Sequence, residues 1–355
     1  MTDDPSLVAH LDADAFYVSA ELLRRPELRG QPVIVAGSGP RAVVTTASYE
    51  ARRFGVGSAI PAARARRLCP QAVVLPPDFE YYRALSREMM EIIRAHVETV
   101  EVVGLDEAYM DLGGLISPRA AMRRLLTEIR RRTGLVCSIG IGPNKLVAKV
   151  ASDAEKPAGF VFLTREQACE RFAGSAPSLV PGIGPRTAER LDELGLTTLA
   201  ALAAAPPEML IERFGENHGP DLIRRARFEG SAQVSEARKV VSESRERTFD
   251  VDVADRAALS AHLQRMSQEL CASLARHGRS GRTISIKVRL ADFTTVTRAH
   301  TIAEATRSPE LVASEAQRLL AEYDPPRPVR LLGVRVAGLQ PDGAAGGEPQ
   351  LALEL

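Results

Sequence analysis

Apolar and polar positions alternate at the start of the chain, where Leu7, Ala9 and Leu11 interleave with Val8, His10, Asp12 and Asp14. A period of two predicts a strand, and it places Asp12 and Asp14 on one face. A second apolar run over residues 32–36 predicts another strand within a long mixed segment. The period then becomes helical, with Leu85, Met89, Ile92, Ile93 and Val97 on one stripe. Residues 99–103 and 108–112 flank the tip Gly104-Leu105-Asp106-Glu107 and read as a hairpin. Ser117-Pro118 supplies an N-cap and first-turn pair for a helix with Met122, Leu125, Leu126 and Ile129 on its buried side. Residues 135–141 close the set as a strand.

In order these elements spell βαββαβ, a ferredoxin-like sandwich of one sheet and two helices, with residues 19–80 or so inserted after the first strand. A smaller Ala- and Leu-rich helical region follows over residues 170–232, punctuated by Gly and Pro, and a polar connector spans residues 231–241. Beyond it the pattern repeats as a strand near 244–251, a helix with Leu259, Leu263, Met266, Leu270 and Leu274, strands at 283–290 and 295–302, a helix at 309–322 and a strand at 329–336. The last residues, 341–355, have the Gly/Ala-rich composition of a flexible tail and end in a small apolar motif. The expected class is therefore α+β and multidomain.

Composition narrows the partners only a little. With 355 residues, 45% hydrophobic and 26% charged, the chain has room for several cores. Its 46 basic residues face 45 acidic ones, so any nucleic-acid binding must rest on local patches. No apolar stretch approaches the ~20 residues of a membrane span, and the N-terminal MTDD lacks signal-peptide character. Cys69, Cys137, Cys169 and Cys271 show no metal or redox spacing, which points to free thiols in a reducing cytoplasm.

The acidic clusters are where chemistry is expected. An isolated Asp-x-Asp at a strand end is most often a turn or cap, and an acidic hairpin tip is usually solvated. In a βαββαβ sheet, however, the first and third strands are central neighbours, so Asp12 and Asp14 would meet Asp106 and Glu107. Carboxylates so packed repel unless cations neutralise them, and hard oxygen ligands beside phosphate suit Mg²⁺. Phe16 and Tyr17 follow directly. Both read as core aromatics, or else, beside a nucleotide site, Tyr17 could stack under a sugar and exclude a 2′-hydroxyl. Tyr49 and Arg52, three apart, would share a helix face and could hold a phosphate by hydroxyl and guanidinium, or simply lie on an exposed amphipathic helix. Residues 140–149 (GIGPNKLVAK) resemble a phosphate loop only loosely and are not the Walker pattern. Lys145, Lys149 and Lys156 cluster there although the chain has only five lysines, so lysine is wanted at that place.

Two further segments suit DNA. Pro181-Gly182-Ile183-Gly184 before a helix resembles the helix-hairpin-helix that grips a phosphate backbone without reading sequence, against the plain alternative of a glycine turn. Along residues 282–290, Ile284, Ile286 and Val288 would face a core and leave Thr283, Ser285, Lys287 and Arg289 outward. Residues 235–340 hold 17 basic and 13 acidic side chains, a modest local excess. Such a face fits a sugar-phosphate backbone or plain solvent equally well.

Taken in order, the motifs HLDADAFY (10–17), ASYEAR (47–52), LDEAYMD (105–111), GPNK (142–145), ASD (151–153) with KP (156–157) and VPGIG (180–184) make the chain resemble a Y-family DNA polymerase of the DinB-like group. SRERTF (244–249) and DFTTVT (292–297) extend the match, which spans residues 7–340. The resemblance implies a right-hand polymerase. Residues 1–18 and 79–168 would form the palm, 19–78 the fingers, 169–232 a helical thumb carrying the helix-hairpin-helix, 233–241 a linker and 242–340 a βαββαβ little finger. Asp12, Asp106 and Glu107, with the carbonyl of Ala13, would bind two Mg²⁺ ions, or Mn²⁺, and carry catalysis. Asp14 would support them, while Phe16, Tyr17, Thr46, Tyr49, Arg52 and Lys156 would bind the dNTP, with Tyr17 as sugar gate. Gly182, Gly184, Arg186, Lys287 and Arg289 would touch DNA. The tail residues Gln350, Leu351, Leu353 and Leu355 resemble the peptide by which such polymerases dock on the sliding clamp. The expected partners are thus primer-template DNA, dNTPs and a sliding clamp, for a monomer of the bacterial cytoplasm. The implied activity is low-fidelity, distributive translesion synthesis without a proofreading exonuclease.

One departure stands out: Gly104 replaces the serine usual before the acidic pair. A catalytically silent DNA-binding scaffold, or a nucleotide cyclase on a similar palm, are the competing readings. The first conflicts with the full set of metal carboxylates, and the second has no need of a DNA-gripping hairpin or a clamp peptide.

Overall fold

The computed structural model describes residues 7–236 and 240–341. They fall into two compact units that divide near residue 238.

The first unit opens with β1 (Val8–Ala13) and α1 (Phe16–Arg24). An inserted lobe follows, made of β2 (Val33–Ala36), β3 (Val44–Ala47), α2 (Tyr49–Arg52), α3 (Ala62–Leu68) and β4 (Val73–Leu75). The main sheet is then completed by α4 (Phe79–His96), β5 (Val100–Val102), β6 (Glu107–Asp111), α5 (Pro118–Thr133), β7 (Cys137–Gly142), α6 (Lys145–Asp153) and β8 (Phe160–Phe162). Its strand order is β5-β6-β1-β7-β8. The first four follow the order expected of a ferredoxin-like βαββαβ sheet, and β8 is an added edge strand parallel to β7.

α4 and α5 form where the helical stripe is continuous. Asp78 caps α4 by accepting from the Tyr81 amide at 3.1 Å, and Gly134, at φ 73°, closes α5 in the left-handed region. Tyr82, Met89, Ile92, Ile93, Met122, Leu125 and Ile129 are buried against Leu11, Met110 and Ile139. Each such burial contributes roughly 1.5–3 kcal/mol relative to exposure. α6 covers the other side of β1 and β7, where Gly140 and Gly142 leave room for it. A Cβ at Gly140 would lie 2.1 Å from the Ala148 carbonyl oxygen.

The lobe has its own core around Ile34, Val44, Ala47, Ala51 and Ala65 and a sheet of order β3-β2-β4. α1 bridges it to the main sheet. Phe16 and Ala20 enter the main core, whereas Val18 packs on Val33 and Val35. The chain then forms α7 (Arg165–Phe172), α8 (Pro185–Asp192), α9 (Leu199–Ala203), α10 (Pro207–Phe214) and α11 (His218–Ala226), gathered around Leu191, Leu199, Leu202, Leu210 and Leu222.

The second unit is β9 (Ser242–Val253), α12 (Arg256–Arg276), β10 (Arg279–Leu290), β11 (Thr295–Thr306), α13 (Pro309–Tyr323), β12 (Val329–Ala337) and the short β13 (Gln340–Pro341). The βαββαβ element order is as expected, but the strand order β11-β10-β12-β9 puts the first strand at an edge. This repeat of the element order is therefore not a repeat of the first sheet's topology. No described helix is long and apolar enough to cross a membrane.

Candidate active site

Antiparallel pairing of β1 with β6 aligns Asp12 opposite Glu107, and the Ala13 amide donates to the Asp106 carbonyl at 2.8 Å. The two acidic clusters are thereby brought to one end of the central strands. They open on a cleft of about 210 Å³ lined by Asp12, Ala13, Ala15, Phe16, Tyr17, Thr45, Thr46, Tyr49, Arg52, Ser58, Asp106 and Lys156. A larger hollow of about 610 Å³, bordered by Tyr109, Lys145, Pro181, Arg224 and Arg225, contains none of these acids.

Two lysines stand among the carboxylates. Lys149 Nζ lies 3.1 Å from Asp12 Oδ2 and 2.9 Å from Glu107 Oε2, while Lys156 Nζ lies 2.6 Å from Asp12 Oδ1. Burial would depress the Lys149 ammonium, but Asp12, Asp153 and Glu107 hold its pKa above the usual lysine range. Asp106 has no ion pair among the described residues, and Lys149 offsets its charge only from farther off. Burial, reinforced by the like charges of Asp12 and Glu107, pushes its pKa up to about 6. Glu107 is held down to about 2, first by the imidazole of His10 and then by Lys149. His10 is fully buried, and burial lowers its own pKa. Its Nε2 sits 3.3 Å from Glu107 Oε2.

Asp12, Asp106 and Glu107 gather hard oxygen donors at one end of the central strands, of the type that divalent cations prefer. No group of three His, Cys, Asp or Glu among the described residues forms a ready-made centre. The donor chemistry nevertheless fits divalent cations held by Asp12, Asp106 and Glu107. Gly104 bears directly on them. A Cβ there would lie 3.3 Å from Asp106 Oδ1, within reach of the acidic pair.

Asp14 is buried and turned away from the cluster. β1 ends at Ala13, and Ala15 at φ 46° redirects the chain into α1. The Asp14 carboxylate accepts from Ser138 Oγ at 2.9 Å, the Ala158 amide at 2.8 Å and the Tyr49 hydroxyl at 3.3 Å. Burial outweighs these bonds and raises its pKa. The alternation that places Asp12 and Asp14 on one face thus stops one residue short, because the strand does. Tyr49 starts α2, capped by Ser48, and Arg52 lies with its guanidinium 4.7 Å from the Tyr49 ring centre while its Nε donates to the Ala47 carbonyl. Thr46 is buried on β3. Phe16 is a core side chain, 2% exposed. Tyr17 is partly exposed at the cleft, with its ring against Tyr82 and Phe79 at 4.9 and 5.8 Å.

Gly182 adopts φ 93°, and Arg225 braces its loop by donating to the Pro181 carbonyl at 2.8 Å. Gly184 is the N-cap of α8, and Arg186 is exposed on it. The helix before this hairpin is only the 3-10 turn Pro177–Leu179. In the second unit Ile284, Ile286 and Val288 are buried, as the alternation predicts. Lys287 on the outer side pairs with Glu246 at 2.9 Å, whereas Arg289 donates to the Thr295 hydroxyl and has no carboxylate partner among the described residues. Gln350, Leu351, Leu353 and Leu355 lie outside the described residues.

Sequence reading missed His10, Ser138, Ser152 and Asp153 as parts of the site and gave Lys149 no role. The lysine clustering was the available signal for Lys149. The others emerge only once α6 is placed against β1.

Residues 11–153 match the impB/mucB/samB family model, and residues 240–353 match its C-terminal domain. The chain is 41% identical to DNA polymerase IV of Streptomyces coelicolor over 94% of its own length and 71% of that protein. It is 37% identical to DNA polymerase IV of Methanoculleus marisnigri, covering 96% of each chain. For DNA polymerase IV of Xanthomonas euvesicatoria the identity is 39%, over 96% of this chain and 97% of the other. Among solved structures, a Y-family DNA polymerase chimera superposes with a TM-score of 0.84 at 25% identity, covering 93% of this chain and 98% of that one. The shared sheet, the paired acidic strands and these similarities lead to one conclusion: the chain belongs to the impB/mucB/samB family, within the DNA polymerase IV group of Y-family DNA polymerases.

Proposed function

We propose that the chain is a DNA-directed DNA polymerase of the translesion type, extending a primer 3′-hydroxyl with dNTPs distributively, at low fidelity and without proofreading. The observation that carries this reading is the alignment of Asp12 with Glu107, beside Asp106, at the mouth of a cleft that also holds Tyr17, Tyr49, Arg52 and Lys156. In this reading residues 1–18 and 79–168 are the palm, 19–78 the fingers, 169–232 the thumb and 242–340 the little finger.

Asp12, Asp106, Glu107 and the Ala13 carbonyl would hold two Mg²⁺ ions, with Mn²⁺ as the alternative. When bound, the ions supply activation of the 3′-hydroxyl and charge stabilisation on the phosphoryl oxygens. Tyr49 and Arg52 present a hydroxyl and a guanidinium to the triphosphate, and Lys156 adds a cation. Asp14 keeps Tyr49 in place through its hydroxyl. The Tyr17 ring, braced by Tyr82, meets the sugar where a 2′-hydroxyl would project. The peptide Gln350-Leu351-Ala352-Leu353-Glu354-Leu355 would dock on a sliding clamp.

Primer extension by the purified chain with Mg²⁺ and dNTPs tests the reading. Asp106→Asn, which keeps the shape and removes the charge, should lower the rate by roughly 10²–10³ or more, as expected for losing a group that acts on developing charge. Extension that survives this change would overturn the assignment of Asp106. Tight primer-template binding without extension would leave a DNA-binding scaffold.

A further inference from the structure

The Ala151-Ser152-Asp153 segment sits at the end of α6, beside the acidic cluster, without a place in the chemistry above. Asp153 lies 2.7 Å from Lys156 Nζ and 3.7 Å from Lys149 Nζ. The same two ammonium groups hold Asp12, one on each oxygen, and Lys149 also holds Glu107. Both lysines are thus shared between acids expected to bind cations and one that stands apart. Of the Asp153 side chain, 43% is exposed.

The turn is fixed rather than free to drift. His10 Nδ1 and Ser152 Oγ are 2.8 Å apart, and the Ser152 hydroxyl is also 2.8 Å from the Lys149 carbonyl. Gly140 permits the close approach, since a Cβ there would lie 2.2 Å from the Ser152 amide. A divalent cation competes with Lys149 and Lys156 for the Asp12 and Glu107 oxygens. A half-buried ammonium displaced without a new acceptor would remain unpaired, which is strongly unfavourable.

We propose that Asp153 is a positioning residue, the acceptor to which Lys149 transfers, and on which Lys156 stays until a triphosphate engages it, when divalent cations take Asp12 and Glu107. Asp153 acts through the lysines and touches neither cation nor substrate. This inference rests on the two-cation reading above.

The test is Mn²⁺ binding to the full-length protein, followed by the electron paramagnetic resonance of free Mn²⁺ and by the Mn²⁺-induced rise in Tm. Asp153→Asn should weaken binding about tenfold, within the coupling expected of contacting charged groups. Asp153→Glu should recover most of that loss. Lys149→Met should bind Mn²⁺ more tightly than the wild type and lower the Tm of the metal-free protein, because the carboxylates then lose a counter-charge. In the Lys149→Met background, Asp153→Asn should cost only about threefold or less. An equal loss in both backgrounds would mean that Asp153 contributes bare negative potential, and no loss in either would remove it from the site; both outcomes overturn the proposal. A folded wild type that binds no Mn²⁺ would overturn the two-cation reading itself.

Discussion

Tyr17 owes its placement to neighbours rather than to hydrogen bonds. Its ring lies 5.3 Å from Phe16, 4.9 Å from Tyr82 and 5.8 Å from Phe79, and this aromatic packing holds it at the cleft. If the ring face excludes the 2′-hydroxyl, the phenolic oxygen is dispensable and the ring is not. Tyr17→Phe should therefore keep the preference for dNTPs over rNTPs within about twofold. Tyr17→Ala should reduce it roughly ten- to hundredfold, the equivalent of a 1–3 kcal/mol clash. The ratio of kcat/KM values for matched dNTP and rNTP decides this. Asp14 is a different case, a buried acceptor with a backbone amide and two hydroxyls as donors. Asp14→Ala leaves those donors without their acceptor, at about 1–3 kcal/mol for each buried group. The expected results are a lower Tm and a raised KM for dNTP, as Tyr49 loses its anchor. An unchanged KM would separate Asp14 from the nucleotide site.

At the scale of elements, α6 is the piece on which the site depends most. Gly140→Ala would force the helix off β1 and β7, since the new Cβ has backbone atoms within 2.2 Å. Overpacking of this kind costs typically 1–3 kcal/mol, and here backbone rather than a side chain must yield. Gly140→Ala should therefore lower Tm by several degrees and weaken Mn²⁺ binding, because the displaced packing reaches β1 and β7, whose pairing holds Asp12 opposite Ser138. A variant with wild-type Mn²⁺ affinity would refute that dependence. The same helix shows what a sequence can and cannot reveal. The strand pair carrying Asp12 and Glu107 was legible because hydrophobic alternation fixes register, and a slip of one residue would turn every core side chain outward. The run of residues 140–149 was opaque, because Gly, Pro and Asn at its start are equally the vocabulary of a loop. What makes the part from Lys145 onward a packed helix is tertiary: the glycines of β7 admit α6, and Asn144 caps it by accepting from the Val147 amide. The edge position of β9 was also hidden, because periodicity gives the order of elements along the chain and not their order across a sheet.

For the whole molecule, a net charge of only +1 makes DNA affinity depend on which cations are free to meet phosphate. Lys287 already has Glu246 at 2.9 Å, so phosphate contact would require breaking that pair. Arg186 is exposed on α8, and Arg289 donates to a hydroxyl; neither has a carboxylate partner among the described residues. Replacing either arginine should therefore remove more binding than replacing the lysine, although all three are single positive charges. The log–log slope of primer-template affinity against salt should become shallower by about 0.9 for Arg186→Ala and for Arg289→Ala, the value of one phosphate contact on duplex DNA. For Lys287→Ala the change in slope should be clearly smaller. Measured across one set of salt concentrations, equal slopes for wild type and both arginine variants would place the DNA backbone on other surfaces. An equal change for all three would show that the Glu246 pair dissolves without cost when DNA binds, as exposed ion pairs often do.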